Sequence, residues 1–173
     1  MTRSVVFPLN RCAVLASAVM LLVGAVFQPA KAHAAPFTNF SGNWSGTGVI
    51  RVEDQDNRQT NERIRCTGTY RQTGSQEVNL KLTCRSDSYS FDLSGNLEAD
   101  ANNQITGQWT EHTRLVVGSL TGQARGDRLL IRAESPALNA NLSMVTGTRS
   151  QSVNLKAAGG GQQVTASITL RRL

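Results

Sequence analysis

The sequence of 173 residues predicts an all-β fold: an antiparallel up-and-down meander of about ten short strands that closes into a barrel. Three observations predict it. Apolar and polar residues alternate with a period of two along most of the chain after residue 40, and no stretch offers a helical period. An apolar residue, then Ser or Thr, then Gly recurs at Phe40-Ser41-Gly42, Cys66-Thr67-Gly68, Leu93-Ser94-Gly95, Leu120-Thr121-Gly122 and Val145-Thr146-Gly147. Its glycines stand 25 to 27 residues apart, the length of two short strands and two turns. Finally, Cys66 and Cys84 lie symmetrically about Thr73-Gly74-Ser75-Gln76, a stretch with turn chemistry.

The N-terminus reads differently. Arg3 and Arg11 precede an apolar run from Cys12 to Phe27, followed by the small-residue stretch Ala30-Lys31-Ala32-His33-Ala34-Ala35. This is the pattern of a secretory signal peptide over 1–34, cut after Ala34 or else after Ala32, and the run is shorter than the roughly 20 apolar residues of a spanning helix. No small-residue lipoprotein box precedes Cys12. The expected mature domain is 35–173. It loses three of the 18 basic residues and keeps all 12 acidic ones, so its net charge is only +3. That modest, interspersed charge argues against a nucleic-acid partner. Two cysteines remain, and in an exported chain an even pair reads as a disulfide.

Each strand follows from its parity. Phe40, Gly42, Trp44, Gly46, Gly48, Ile50 and Val52 form one face of the first, and a polar loop is expected over 53–61. Folding the chain at residue 75 pairs Tyr70 with Leu80, Gly68 with Leu82 and Cys66 with Cys84. Ile64, Cys66, Gly68 and Tyr70 then share an inner face with Val78, Leu80 and Leu82. Arg63, Arg65, Arg71, Lys81 and Arg85 fall on the outer one. A disulfide directly across such a pair is sterically reasonable and closes a loop worth about 3 kcal/mol in the chain-entropy model. Tyr89 to Leu97 makes the fourth strand and Ile105 to Trp109 the fifth. Gly118 to Ala124 leads through the Gly126-Asp127 hairpin turn to Leu129, Ile131 and Ala133. After Pro136 come Leu138 to Met144, Val153 to Ala157, a Gly159-Gly160-Gly161 turn, and Val164 to Leu170.

Phe40-Ser41-Gly42-Asn43-Trp44 resembles the Gly-x-Trp start of the lipocalin, fatty-acid-binding and avidin barrels, the calycins. The segments Glu62-Arg63-Ile64-Arg65-Cys66, Cys84-Arg85-Ser86-Asp87-Ser88-Tyr89 and Gly107-Gln108-Trp109-Thr110-Glu111-His112-Thr113-Arg114 together resemble a family of exported alphaproteobacterial proteins. The first resemblance implies a calycin-like barrel; the second spans most of the mature chain and implies export, but supplies no activity.

In a meander, alternate loops emerge at one end. The loops at 53–61, 85–88, 111–115, 134–137 and 158–162 are expected to share an end bearing Arg85, Asp87, Glu111, His112 and Arg114, where a ligand mouth would lie. Trp44 and Trp109 are candidates for stacking on a guest ring. No Ser, His and Asp fall into a nucleophilic arrangement, so no catalytic residue is expected. Asp54 and Asp56 lack the glycine and closing glutamate of a calcium loop, and neither a metal nor another cofactor is expected. The reading is an exported, non-enzymatic binding protein that holds a small apolar or amphipathic ligand. Its alternatives are a protein-interaction module, such as an inhibitor of a secreted enzyme, and a small outer-membrane barrel. Against the latter stand outward arginines, few aromatics and short strands. A cavity of several hundred Å³ would favour the ligand reading, and a filled interior the interaction reading.

Overall fold

The computed structural model describes residues 36–173, so the expected signal peptide at 1–34 lies outside the described residues. Ten strands follow one another: β1 (Gly42–Glu53), β2 (Gln59–Gln72), β3 (Glu77–Arg85), β4 (Ser90–Ala99), β5 (Gln104–Glu111), β6 (Val116–Arg125), β7 (Arg128–Glu134), β8 (Asn139–Thr146), β9 (Ser150–Gly159) and β10 (Gln162–Arg172). Each pairs antiparallel with its chain neighbours, and β1 pairs with β10, from Trp44 opposite Arg172 to Glu53 opposite Gln163. The barrel is therefore closed, and closure removes the open edges that a flat sheet would leave for aggregation.

The β2–β3 register is the one parity dictates, with Cys66 opposite Cys84, Gly68 opposite Leu82 and Tyr70 opposite Leu80. Cys66 and Cys84 form a disulfide across adjacent strands, their Cα atoms 4.1 Å apart. That separation is close to the spacing of a non-hydrogen-bonded antiparallel pair. Both cysteines are buried on the inner face. Of the recurring glycines, Gly68, Gly95 and Gly122 sit on β2, β4 and β6, each two strands beyond the last, and Gly147 directly follows β8. The repeat is thus the hairpin repeat of the meander.

Boundaries near the start of the barrel differ from expectation. The first loop is 54–58 rather than 53–61, because Gln59, Thr60 and Asn61 already belong to β2. These three rise above the core with both faces wet, so no apolar alternation marks them as strand. Phe40, expected on the first strand's inner face, instead lies in a turn over 36–40, with its amide bonded to the Phe37 carbonyl at 3.0 Å.

That turn seals one end of the barrel. Phe37 and Phe40 are buried, and their rings meet edge to face at 5.8 Å. Phe40 continues the contact to Tyr70 at 5.9 Å, and Tyr70 to Trp44 at 6.4 Å. The Trp44 indole N–H donates to the Phe40 carbonyl at 3.0 Å. Arg172 lies over the Trp44 ring at 4.4 Å and donates to the carbonyls of Asn39, Ser41 and Thr148, clamping the turn to the end of β10. Deeper in this floor the Tyr70 hydroxyl donates to Gln151 at 2.9 Å, and Gln151 donates to Thr146 at 2.8 Å. Burial pushes the Tyr70 phenol far above its usual range, so it stays a donor.

The outer face is polar. Arg63, Arg65, Lys81, Arg85 and Arg132 are exposed on it, the inverse of the apolar outer band of a lipid-embedded barrel. Strand length, in contrast, does not separate the two cases. The strands run from 7 to 14 residues, and several are as long as those that cross a bilayer.

A walled cavity and its mouth

The end opposite the floor is open. The loops after β1, β3, β5, β7 and β9 gather there, and between them a cavity of about 440 Å³ descends into the barrel. Its walls come mostly from β3 to β9: Leu80, Leu82 and Leu93 from one side, Leu142, Met144 and Leu155 from the other. Tyr70 and Phe40 form its floor. The remaining wall is packed solid, since Trp44, Ile50, Ile64 and Leu170 are fully buried and take no part in the lining. The leucines on the cavity side are only partly buried because they face this space instead of each other.

Polar groups collect at the mouth. Glu111 was expected on a loop; it is instead the last residue of β5, turned inward beside Leu93 and only 5 % exposed. Its Oε1 accepts the amides of Asp92 and Thr113 at 3.0 and 3.2 Å, and its Oε2 accepts the amide of Arg114 at 2.7 Å. Burial pushes its pKa up, but the Asp92 amide, the Thr113 side chain and the Arg114 and Thr113 amides outweigh it and hold the carboxyl below the usual range. Glu111 is therefore an ionised clasp for the 112–115 turn. Arg114, carried by that turn, stacks over Phe91 at 5.2 Å. Its Nη1 donates to the Ser90 carbonyl at 3.1 Å and lies 3.5 Å from Glu111.

The other mouth loops are pinned in similar ways. Asp54 accepts the amides of Asp56 and Arg58, each at 2.9 Å, and Ser135 accepts those of Ala137 and Leu138. Glu62 accepts the Ser88 amide at 2.9 Å, and its bonds to Ser88, with Ser86 and Asp87 adding to them, hold its pKa below the usual value. The rim is thus built before any ligand arrives.

The sequence-derived candidates separate accordingly. Trp109, Glu111 and Arg114 line the cavity. Trp44 does not: it is packed into the solid wall, held by Phe40, Tyr70 and Arg172. Arg85 ends β3 on the outer face, and Asp87 is exposed on the turn beyond it; neither is among the lining residues. His112 points outward and meets Ser94 at 2.8 Å through Nε2. Trp109 packs its indole nitrogen over Gly118, the residue opposite it on β6, where any Cβ would collide with the ring. That nitrogen is buried and has no hydrogen-bond partner among the described residues. The lining residues not singled out from sequence, chiefly Tyr89, Phe91, Leu138, Leu142 and Leu155, all lie on or next to inward-facing positions. Among the described residues no three His, Cys, Asp or Glu side chains converge as metal ligands would.

Fold and opening together define the class: a closed ten-stranded antiparallel barrel, apolar within and open at one end. No family model matches the chain, nor does any curated protein. Among solved structures it is similar to Rv2717c from M. tuberculosis, with 13 % identity, coverage of 79 % of this chain and 94 % of that one, and a TM-score of 0.57. It is also similar to the S-type phycobiliprotein lyase CPES from Guillardia theta, with 13 % identity, coverage of 79 % and 89 %, and a TM-score of 0.53. At these identities the likeness is one of fold.

Proposed function

We propose that this protein is an exported, non-enzymatic binding protein of the calycin kind that holds a small apolar or amphipathic molecule inside its barrel. The observation that carries the reading is the apolar cavity of about 440 Å³, within the size range of small-molecule sites and open to solvent at a pre-built rim. A protein working only through its loops would have no need of that space, and filling it would stabilise the core. Export fits the Cys66–Cys84 disulfide, which belongs to an oxidising compartment, and the signal-like sequence of 1–34. A passive role fits the Ser94–His112 pair, which sits outside the barrel, where no third group among the described residues orients the imidazole.

The test is a titration with N-phenyl-1-naphthylamine, a neutral fluorophore that brightens in apolar surroundings. Saturable binding of one probe per barrel is expected. The double variant Leu82→Trp with Leu155→Trp, which fills the cavity from facing walls, is expected to weaken it at least about tenfold with the circular dichroism unchanged. Binding that fails to saturate, or that the double variant leaves intact, would overturn the proposal.

A further inference from the structure

The distribution of charge at the mouth says more about the ligand than the cavity volume does. Resting on the reading above, we infer that the molecule held here is an amphipathic acid, its apolar body in the cavity and its anionic head on the guanidinium of Arg114. Among the described residues Arg114 is the one cation lining the cavity, and Glu111 the one anion. The two are not equivalent. Both Glu111 oxygens accept backbone amides, so the carboxylate is already hydrogen-bonded by the chain, and it is largely shielded from solvent. Arg114 is the reverse, with a side chain 49 % exposed. Its Nη1 is engaged with Ser90 and Glu111, and its plane is fixed against the Phe91 ring. That leaves Nε and Nη2 without a hydrogen-bond partner among the described residues, the pair of donors that grips a carboxylate in two places.

The neighbouring acids do not compete for this cation. Asp54 and Glu62 are engaged by loop amides, Asp56 by Arg58 at 2.6 Å and Glu134 by Arg132 at 2.8 Å. Asp87 is exposed and does not line the cavity. The axis of the cavity is polarised as well. The charged lining groups, Glu111 and Arg114, stand at the rim, while Tyr70 on the floor has its hydroxyl turned away to Gln151. A ligand with a polar head and a greasy tail has one orientation that satisfies both ends, head to the mouth.

The experiment is isothermal titration of the purified protein near neutral pH with decanoate, decan-1-ol and decylamine, which share a tail and differ in head charge. Decanoate is expected to bind about tenfold more tightly than the alcohol, the gain of one charge-assisted contact, and the amine more weakly than either. The lead of the acid over the alcohol is expected to vanish in Arg114→Gln, persist in part in Arg114→Lys, and shrink as salt is added. Equal affinity of acid and alcohol for the wild-type protein, or an amine that binds as well as the acid, would overturn the inference and leave the cavity reading standing. Failure of all three to bind would overturn both.

Discussion

Gly46→Ala is expected to destabilise the protein by at least about 4 kcal/mol, enough to unfold a marginal domain. Gly46 lies on β1 opposite Leu170 of β10, at the seam that closes the barrel. The strands coil so sharply there that a Cβ would sit inside the van der Waals shell of the Thr169 carbonyl oxygen and crowd the Leu170 Cα. Backbone cannot swing aside as a side chain can, so a methyl group has to push β1 away from β10 and break the ladder that joins them. Gly48, next along the same face, meets the Ser167 carbonyl in the same way. Gly74 provides the control, because in the β2–β3 turn its Cβ would meet only the Glu77 Cβ at 3.8 Å. Gly74→Ala is expected to change stability by less than about 0.5 kcal/mol. Urea unfolding followed by circular dichroism compares the two; equal midpoints would show that the seam is looser than described.

The second large effect concerns the floor. Trp44→Ala is expected to cost about 3 to 5 kcal/mol, the range for emptying a buried aromatic site. Trp44 is fully buried, and its removal deprives three partners at once: the edge of Tyr70, the Phe40 carbonyl and the guanidinium of Arg172. Arg172 in turn holds the Asn39 and Ser41 carbonyls, so the 36–40 turn is expected to loosen with it. Trp44→Phe keeps a ring against Tyr70 but loses the indole donor, and is expected to fall between the wild type and the alanine variant. A loss below about 1 kcal/mol for Trp44→Ala would mean that the floor is not the packed layer described.

Much of this fold was legible in the sequence because side chains in a strand alternate strictly. Parity placed Ile64, Cys66 and Tyr70 on the inner face with Val78, Leu80 and Leu82, and symmetry about residue 75 set their register. Counting alternate loops placed the mouth at the correct end. Parity does not report which inward residues border the cavity, however, and this misplaced Trp44: it faces inward, but into close packing with Phe40, Tyr70 and Arg172 and not onto the cavity. Nor does it report how far apart facing walls stand, a matter of strand number and tilt. Leu82 and Leu155 therefore read as ordinary core, and their separation across a void was visible only in three dimensions. The inward turn of Glu111, named only as a loop residue, was missed for a different cause. A carboxylate at a strand end looks like loop chemistry, and the amides of Asp92, Thr113 and Arg114 that allow it to turn inward leave no mark in the local pattern. Phe37 is a similar case, buried by a single turn too short to carry any period.

The interior contains an apolar space bounded by Leu82, Leu142 and Leu155. Crystallography under xenon pressure tests it without assuming any ligand, since xenon enters dry apolar cavities. Xenon density is expected between those three leucines, above the Phe40 and Tyr70 rings. A barrel whose leucines meet across the axis, with no gas between them, would contradict it.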